Sequence, residues 1–334
     1  MADALISPAV GGAAWAVSAA AVVYSTVKIK NELGDKKVPL MAVAGAFVFA
    51  AQMINFTIPA TGSSGHIGGG ILLAGLLGAF PALLTIAAVL VIQCLFFADG
   101  GLLALGCNIF NMGVIPCLVV YPLIFKPILS RGYTVKRISI ASVVSVVAGL
   151  QIGAFGVVLE TLLSGITALP FGAFAALMQP IHLAIGIVEG IVTAAVLDFV
   201  FTMRPEILET SGTGVSLPRT IPVKKVLIAL GVATLVVGGI LSIFASAYPD
   251  GLEWSMEGAA GTAELEAEGP AFRQAEAIQG ATAFMPGYGF PSGEEGSAAG
   301  TAVAGIVGSI LTCALAGLAG LVIWRIKKNR VKPA

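Results

Sequence analysis

Apolar runs recur along this chain near residues 8–29, 38–57, 66–79, 81–98, 102–126, 137–166, 178–203, 224–247 and 302–325. About 20 residues of helix cross the roughly 30 Å hydrocarbon layer of a bilayer. The fold class expected is therefore all-α, a polytopic membrane bundle of about nine spans, seven plus two. Only 11% of residues are charged, where soluble domains carry about 25%. The third and fourth runs are short and meet at Gly78-Ala79-Phe80-Pro81 without a charge, which predicts a tight helical hairpin or a broken pair. The 42 glycines, in patterns such as Gly65-xxx-Gly69 and Gly186-xxx-Gly190, predict close helix contacts, because lipid supplies no hydrophobic drive between helices.

The basic residues fix an orientation. Lys28, Lys30, Lys36 and Lys37 follow the first run, and Lys126, Arg131, Lys136 and Arg137 the fifth. Arg204, Arg219, Lys224 and Lys225 follow the seventh, and Arg325, Lys327, Lys328, Arg330 and Lys332 the ninth. Nine crossings place all these clusters, 17 of 18 basic residues, on one side, cytoplasmic by the positive-inside rule. The N-terminus, the turn around residue 66 and the 248–301 loop then lie outside. That loop carries Asp250, Glu253, Glu257, Glu264, Glu266, Glu268, Glu276, Glu294 and Glu295 against Arg273 alone, and reads as a solvated, in part mobile, segment. Residues 206–223, with two prolines among polar residues, read as a linker between a unit at 1–205 and a two-span unit at 224–334. The start, MADALISP, lacks the basic leader of a secretory signal.

Several chemistries are excluded. There is no GxxxxGK[ST] phosphate loop, no HExxH and no GxSxG, so neither nucleotide hydrolysis nor hydrolytic catalysis is expected. The net charge of zero argues against nucleic acid as a partner. Cys94, Cys107, Cys117 and Cys313 lie in apolar runs without a CxxC pair and read as small buried side chains. What remains is His66, in the glycine- and serine-rich turn of QMINFTIPATGSSGHIGGG, and the polar residues within spans. A buried imidazole there is a metal ligand, a proton carrier or a hydrogen-bond partner. His182 and Glu189, two helical turns apart, share a face and read as a relay or a structural pair. Asn108 and Asn111 are helix neighbours suited to packing or ligand orientation. Glu160 and Asp198 lie near span ends.

The stretches ISPAVGGAAWAVSAA, VPLMAVAGAFVFAAQMINFTIPATGSSGHIGGG, FFADGGLLALGCNIFNMGVIPCLVVYPL and PIHLAIGIVEGIVTAAVLDFV resemble the CbiM/NikM family. Its members are the substrate-capture components of energy-coupling-factor cobalt/nickel transporters. The YPDGLEW segment resembles the small two-helix partner, CbiN/NikN, here on the same chain. The resemblance implies capture of Ni(II) or Co(II) as cargo, with no permanently bound cofactor, in a prokaryotic plasma membrane. It implies as partners a transmembrane coupling subunit and two cytoplasmic ATPases. In the family an N-terminal Met-His pair and the histidine of the SGH turn hold the ion, which carries over to Met1 and His66. An amine, a backbone nitrogen and two imidazoles make a planar nitrogen set suited to Ni(II). Gln52, Asn55, Ser63 and Ser64 are candidates to orient His66 from a second shell. The acidic loop is expected to act on metal loading through its field.

Position 2 is Ala2, where the family has histidine. Two further readings follow: an accessory subunit with a degenerate metal site, or an ion-coupled secondary transporter using His182, Glu189 and Glu160. A start two residues upstream of Met1 would restore a Met-His pair, and that is the expectation here. Intact-mass analysis of the protein from its native source checks it. A chain that begins at Met1 or Ala2 and still binds Ni(II) tightly contradicts it.

Overall fold

The computed structural model describes residues 1–29, 33–213, 217–218, 220, 222–263, 265–291 and 297–330. Lys30, Arg219, Glu264, Glu294, Glu295 and Lys332, and the side chains of Lys327 and Arg330, lie outside the described residues.

A single turn at Asp3–Leu5 leads into α1 (Pro8–Lys28), where Pro8 occupies the first turn and the Ser7 hydroxyl accepts from the Val10 amide. Both features suit a helix start, since the first amides have no intrahelical partner. Helix α2 (Lys37–Gln52) is followed by an antiparallel hairpin, β1 (Phe56–Ile58) and β2 (Ser63–Gly65), with Phe56 opposite Gly65. Next come α3 (Gly70–Leu77), α4 (Ala79–Phe97), α5 (Leu105–Leu129), α6 (Val135–Ser164), α7 (Phe171–Met203) and α8 (Pro205–Thr213). The chain ends with α9 (Lys224–Gly239), α10 (Gly251–Ala260), α11 (Pro270–Thr282) and α12 (Ala298–Arg330).

Among the described residues six helices are long and apolar enough to cross a membrane: α1, α4, α5, α6, α7 and α12. The protein is an all-α polytopic membrane bundle. The expected third span is different in kind. Residues 66–69 are not helical, and α3 has eight residues, a rise of about 12 Å. This stretch passes through the bundle half as irregular backbone and half as short helix. All eight residues of α3 are buried, so protein rather than lipid surrounds it. Gly78 alone then reverses the chain into α4, at φ 88 and ψ 165, a conformation open to glycine. The broken pair is thus a hairpin with a one-residue corner.

Other boundaries shift for local reasons. Helix α2 stops at Gln52, short of residue 57, and α7 starts at Phe171 and continues through Pro180. The middle of α5, Phe110–Phe125, is wound as a π-helix around Pro116 and Pro122. Prolines lack the amide that an α-helix needs, and wider turns are one accommodation. Residues 206–213 of the expected linker are helical, and the expected loop at 248–301 holds two helices. Gly186 and Gly190 do allow close contact, facing the Cα atoms of Val147 and Val143 on α6. Gly65 and Gly69 are instead a strand residue and a left-handed helix cap.

The hydrogen bonds define two faces. On one, the Met1 carbonyl accepts from Gly101, Asn55 from Ser246, Pro249 from Ser64 and Phe96 from Met285. On the other, the Ser211 hydroxyl reaches the Gly75 carbonyl and Arg204 reaches Pro222. The described basic residues other than Arg273 sit at the helix ends and connections of this second face. Helices α9 and α12 cross at paired glycines, where a β-carbon on Gly305 would collide with the Gly238 carbonyl. Replacing Gly305 with valine should part the two helices and cost about 1–3 kcal/mol, as overpacking does. A thermal unfolding midpoint in detergent equal to that of the unaltered protein would contradict this packing.

Candidate metal-capture site

A cavity of about 160 Å³ opens at the face that carries the N-terminus, and Met1, His66, His182, Glu189 and Asp250 line it. Both of the chain's two histidines therefore border one space. Four separate parts of the sequence place these groups.

The N-terminus is gripped by the Asp99-Gly100-Gly101 turn. The Gly101 amide donates to the Met1 carbonyl at 3.0 Å, and the Asp3 carboxylate accepts from the Ala104 amide at 2.9 Å. A β-carbon on Gly101 would overlap the Asp3 carboxylate. Burial pushes the Asp3 carboxyl above the usual range, against the opposing pull of its amide donors. Asn108 lies 3.5 Å from the Met1 carbonyl oxygen.

The His66 turn descends into the bundle as non-helical backbone held by side chains. Gln52 donates to the Gly68 carbonyl at 2.9 Å, and its own carbonyl accepts from Gln93 at 2.9 Å. The Glu189 carboxylate accepts from the Gly69 amide at 2.8 Å. Gly69 takes φ 79, and its α-carbon is packed so that a side chain would stand 2.5 Å from Val48. The His66 ring is half-buried, with Nδ1 3.4 Å from the Ile67 carbonyl. Gln52 thus braces the turn two residues from the imidazole. The Ser63 and Ser64 hydroxyls are directed at the Tyr248 and Pro249 carbonyls rather than at His66, and Asn55 meets Ser246 through its backbone.

The Pro249–Glu253 segment closes the cavity from above. Asp250 caps α10 by accepting from Leu252 and Glu253, while Glu253 accepts from the Asp250 amide. This reciprocal box pairs a short hydrogen-bond acceptor at the cap with a Glu or Gln three residues on. Gly251 rests on α7: a β-carbon there would stand 2.8 Å from Ile185 and 3.2 Å from His182 Cε1. Trp254 donates to the Thr61 carbonyl at 3.0 Å. The segment is pinned to the hairpin and to α7 together.

Next to the cavity, and sharing Met1, Asp250 and Leu252 with it, lies an open vestibule of about 560 Å³. Asp3, Asp99, Asp250, Glu253 and Glu276 line it, Ala2 borders it, and none of its described lining residues is basic. Burial and the Asp250 charge push Glu253 above the usual carboxylate range. Nitrogen donors below an acidic antechamber suit a divalent transition-metal cation. Among the described residues no three His, Cys, Asp or Glu side chains converge into a finished site.

The remaining candidates stand apart from one another. His182 bonds the Met178 carbonyl at 2.8 Å and Glu189 bonds Gly69, so the two do not pair. Glu160 accepts from Asn111 at 2.8 Å, and Asp198 accepts from Ser139 at 2.7 Å. The four cysteines are unpaired with one another. Sequence reasoning named Gln93 only as a polar residue within a span, and missed the Gly69–Glu189 bond and the Asp99–Gly101 grip. The paired glycines of ADGGLLALG were the available signal for the last.

Residues 1–207 match the family described as the cobalt uptake substrate-specific transmembrane region, CbiM. The chain belongs to the CbiM family. Residues 224–325 match the PDGLE domain. A protein of Archaeoglobus fulgidus named for fused nickel transport is 31% identical over 94% of this chain and 95% of its own length. The fused nickel transport protein NikMN of Rhodobacter capsulatus is 30% identical over 76% and 75%. A crystal structure titled as a truncated transition metal transporter superposes with a TM-score of 0.54 at 28% identity, covering 61% of this chain and 98% of that one. The CbiM-family chain is a membrane metal-transport protein of the nickel/cobalt class and not an enzyme.

The grip on the N-terminus is testable. Gly101→Ala should displace Met1 and weaken Ni(II) binding by about 10-fold or more, the usual scale for disturbing a ligand's support. The thermal unfolding midpoint should move little. Unchanged affinity by calorimetric titration would show that Met1 takes no part.

Proposed function

We propose that this chain captures Ni(II) or Co(II) at the outer membrane surface and works as the substrate-binding component of an energy-coupling-factor transporter. The observation that carries the reading is the meeting of Met1 and His66 in one cavity beneath an acidic vestibule. Residues 1–205 form the capture unit, and 224–334 supply the closing segment and part of the vestibule. Met1 and His66 hold the ion, with Gln52 as a supporting residue behind His66. The basic second face is cytoplasmic by the positive-inside rule, which puts the cavity outside. Nitrogen donors suit both Ni(II) and Co(II), and relatives are named for nickel and for cobalt.

Transport energy comes from other chains, because no phosphate loop is present to bind nucleotide. The partners are a transmembrane coupling subunit and two ATPases, docked at the basic face. In vesicles, uptake should require those subunits and ATP, and His66→Ala should abolish it. Accumulation of Ni(II) by this chain alone under a proton gradient would refute the assignment and support ion-coupled transport.

A further inference from the structure

The peptide that joins Gly68 to Gly69 is held at both ends. Its carbonyl accepts from the Gln52 side chain at 2.9 Å, and its amide donates to Glu189 Oε1 at 2.8 Å. Gln52 in turn accepts from Gln93 at 2.9 Å. These bonds all run one way, from α4 through α2 and the turn to α7. A peptide unit is planar, so a donor fixed on its oxygen and an acceptor fixed on its amide leave it one orientation. Rotated, it would turn the Gly68 oxygen toward the Glu189 oxygens, and neither group can donate to the other.

The last member of this series is a fixed point. Glu189 is 1% exposed, and its carboxylate lies over Gly68, where a β-carbon would stand 3.4 Å from either oxygen. On either side of it α7 is packed backbone-close to α6. A β-carbon on Gly186 would stand 3.2 Å from the Val147 Cα, and one on Gly190 2.8 Å from the Val143 Cα. Ile185, one turn before Glu189, lies against Gly65, where a β-carbon would approach to 2.5 Å. One face of α7 therefore seats both the residue before His66 and the peptide that follows Gly68. The imidazole is suspended between these contacts. Its own Nδ1 lies 3.4 Å from the Ile67 carbonyl, too long to orient the ring strongly.

We propose that Glu189 is a positioning residue for metal capture: by ending this series of hydrogen bonds on α7, it fixes the Gly68–Gly69 peptide and with it the place of the His66 imidazole. The proposal rests on His66 being a metal ligand. It gives Glu189 no contact with the ion. It therefore differs from a relay or a counter-charge, for which the charge of the side chain matters rather than its reach.

Two conservative variants separate reach from charge. Glu189→Gln keeps the length and an acceptor oxygen but loses the charge. Glu189→Asp keeps the charge but is one methylene too short to reach Gly69. Ni(II) is titrated calorimetrically into the full chain in detergent. Affinity is expected to stay within about threefold in the glutamine variant and to fall about 10-fold or more in the aspartate variant, the usual scale for losing a ligand's support. Amide hydrogen exchange across residues 66–70 should rise in the aspartate variant and not in the glutamine one. Glu189→Met, which keeps the bulk without an oxygen, replaces the aspartate variant if that one does not fold, with the same expected loss. Unaltered affinity in the shortened or oxygen-free variant overturns the proposal. A glutamine variant as weak as the aspartate one also overturns it, because charge would then be what matters. His66→Ala tests the underlying reading separately. Binding unaffected by that substitution removes the assignment of His66, whereas binding lost there but unchanged in Glu189→Asp removes only the role of Glu189.

Discussion

Backbone that is not helical cannot sit at membrane depth unless something else satisfies its amides and carbonyls. The stretch from His66 to Gly69 is such backbone, and the rest of the capture unit is arranged to supply its partners. Gln52 comes from the end of α2, Gln93 backs it from α4, and Glu189 comes from α7. These are the buried polar side chains that an apolar bundle otherwise avoids. Helices α3 and α4 form the shielded centre for the same reason, and the surrounding helices turn their exposed apolar residues outward, as Leu163 and Leu123 do. Loss of any one partner leaves a buried group unpaired, which costs more than the bond itself contributes.

How much of this was legible follows from what hydropathy measures. It reports transfer into lipid, so α1, α6, α7 and α12, long apolar helices that are less than half buried in the bundle, stood out. It does not report backbone conformation. The run at 66–79 is apolar enough to be read as a span, yet Gly69 and Gly78 take positive φ and break it. The winding of α5 was similarly hidden, although Pro116 and Pro122 marked it. The segment after residue 248 was read as a solvated loop from its acids. The spacing of Asp250 and Glu253 carried the opposite message, since a capping residue such as Asp followed three positions later by Glu is a helix-start signal.

The site was half legible. A lone histidine among glycines and serines pointed to residue 66 from composition alone, and the family resemblance gave it a role. The company it keeps comes from sequence separations that no local pattern encodes. Gly101 lies a hundred positions from Met1, and Gly251 meets His182 from another unit of the chain. Ser63 and Ser64 are nearest to His66 in sequence, yet they serve the Tyr248–Pro249 backbone. Proximity along the chain was a poor guide here because the hairpin docks on the Tyr248–Pro249 backbone, which takes both hydroxyls.

The Pro249–Glu253 segment covers the cavity and is anchored on the same polypeptide through α9 and α12, which pack on α2. A cover supplied by a separate protein would occupy its seat according to its cellular concentration and affinity. Tethered as it is here, it meets its seat at an effective concentration in the millimolar range for a short linker. Opening is then a first-order event whose equilibrium does not change with expression level. On the proposed reading, every copy of the 1–205 unit carries its own cover, so admission of an ion depends on the strength of a few contacts, at Thr61, Ser64 and Ile185, and not on stoichiometry between genes.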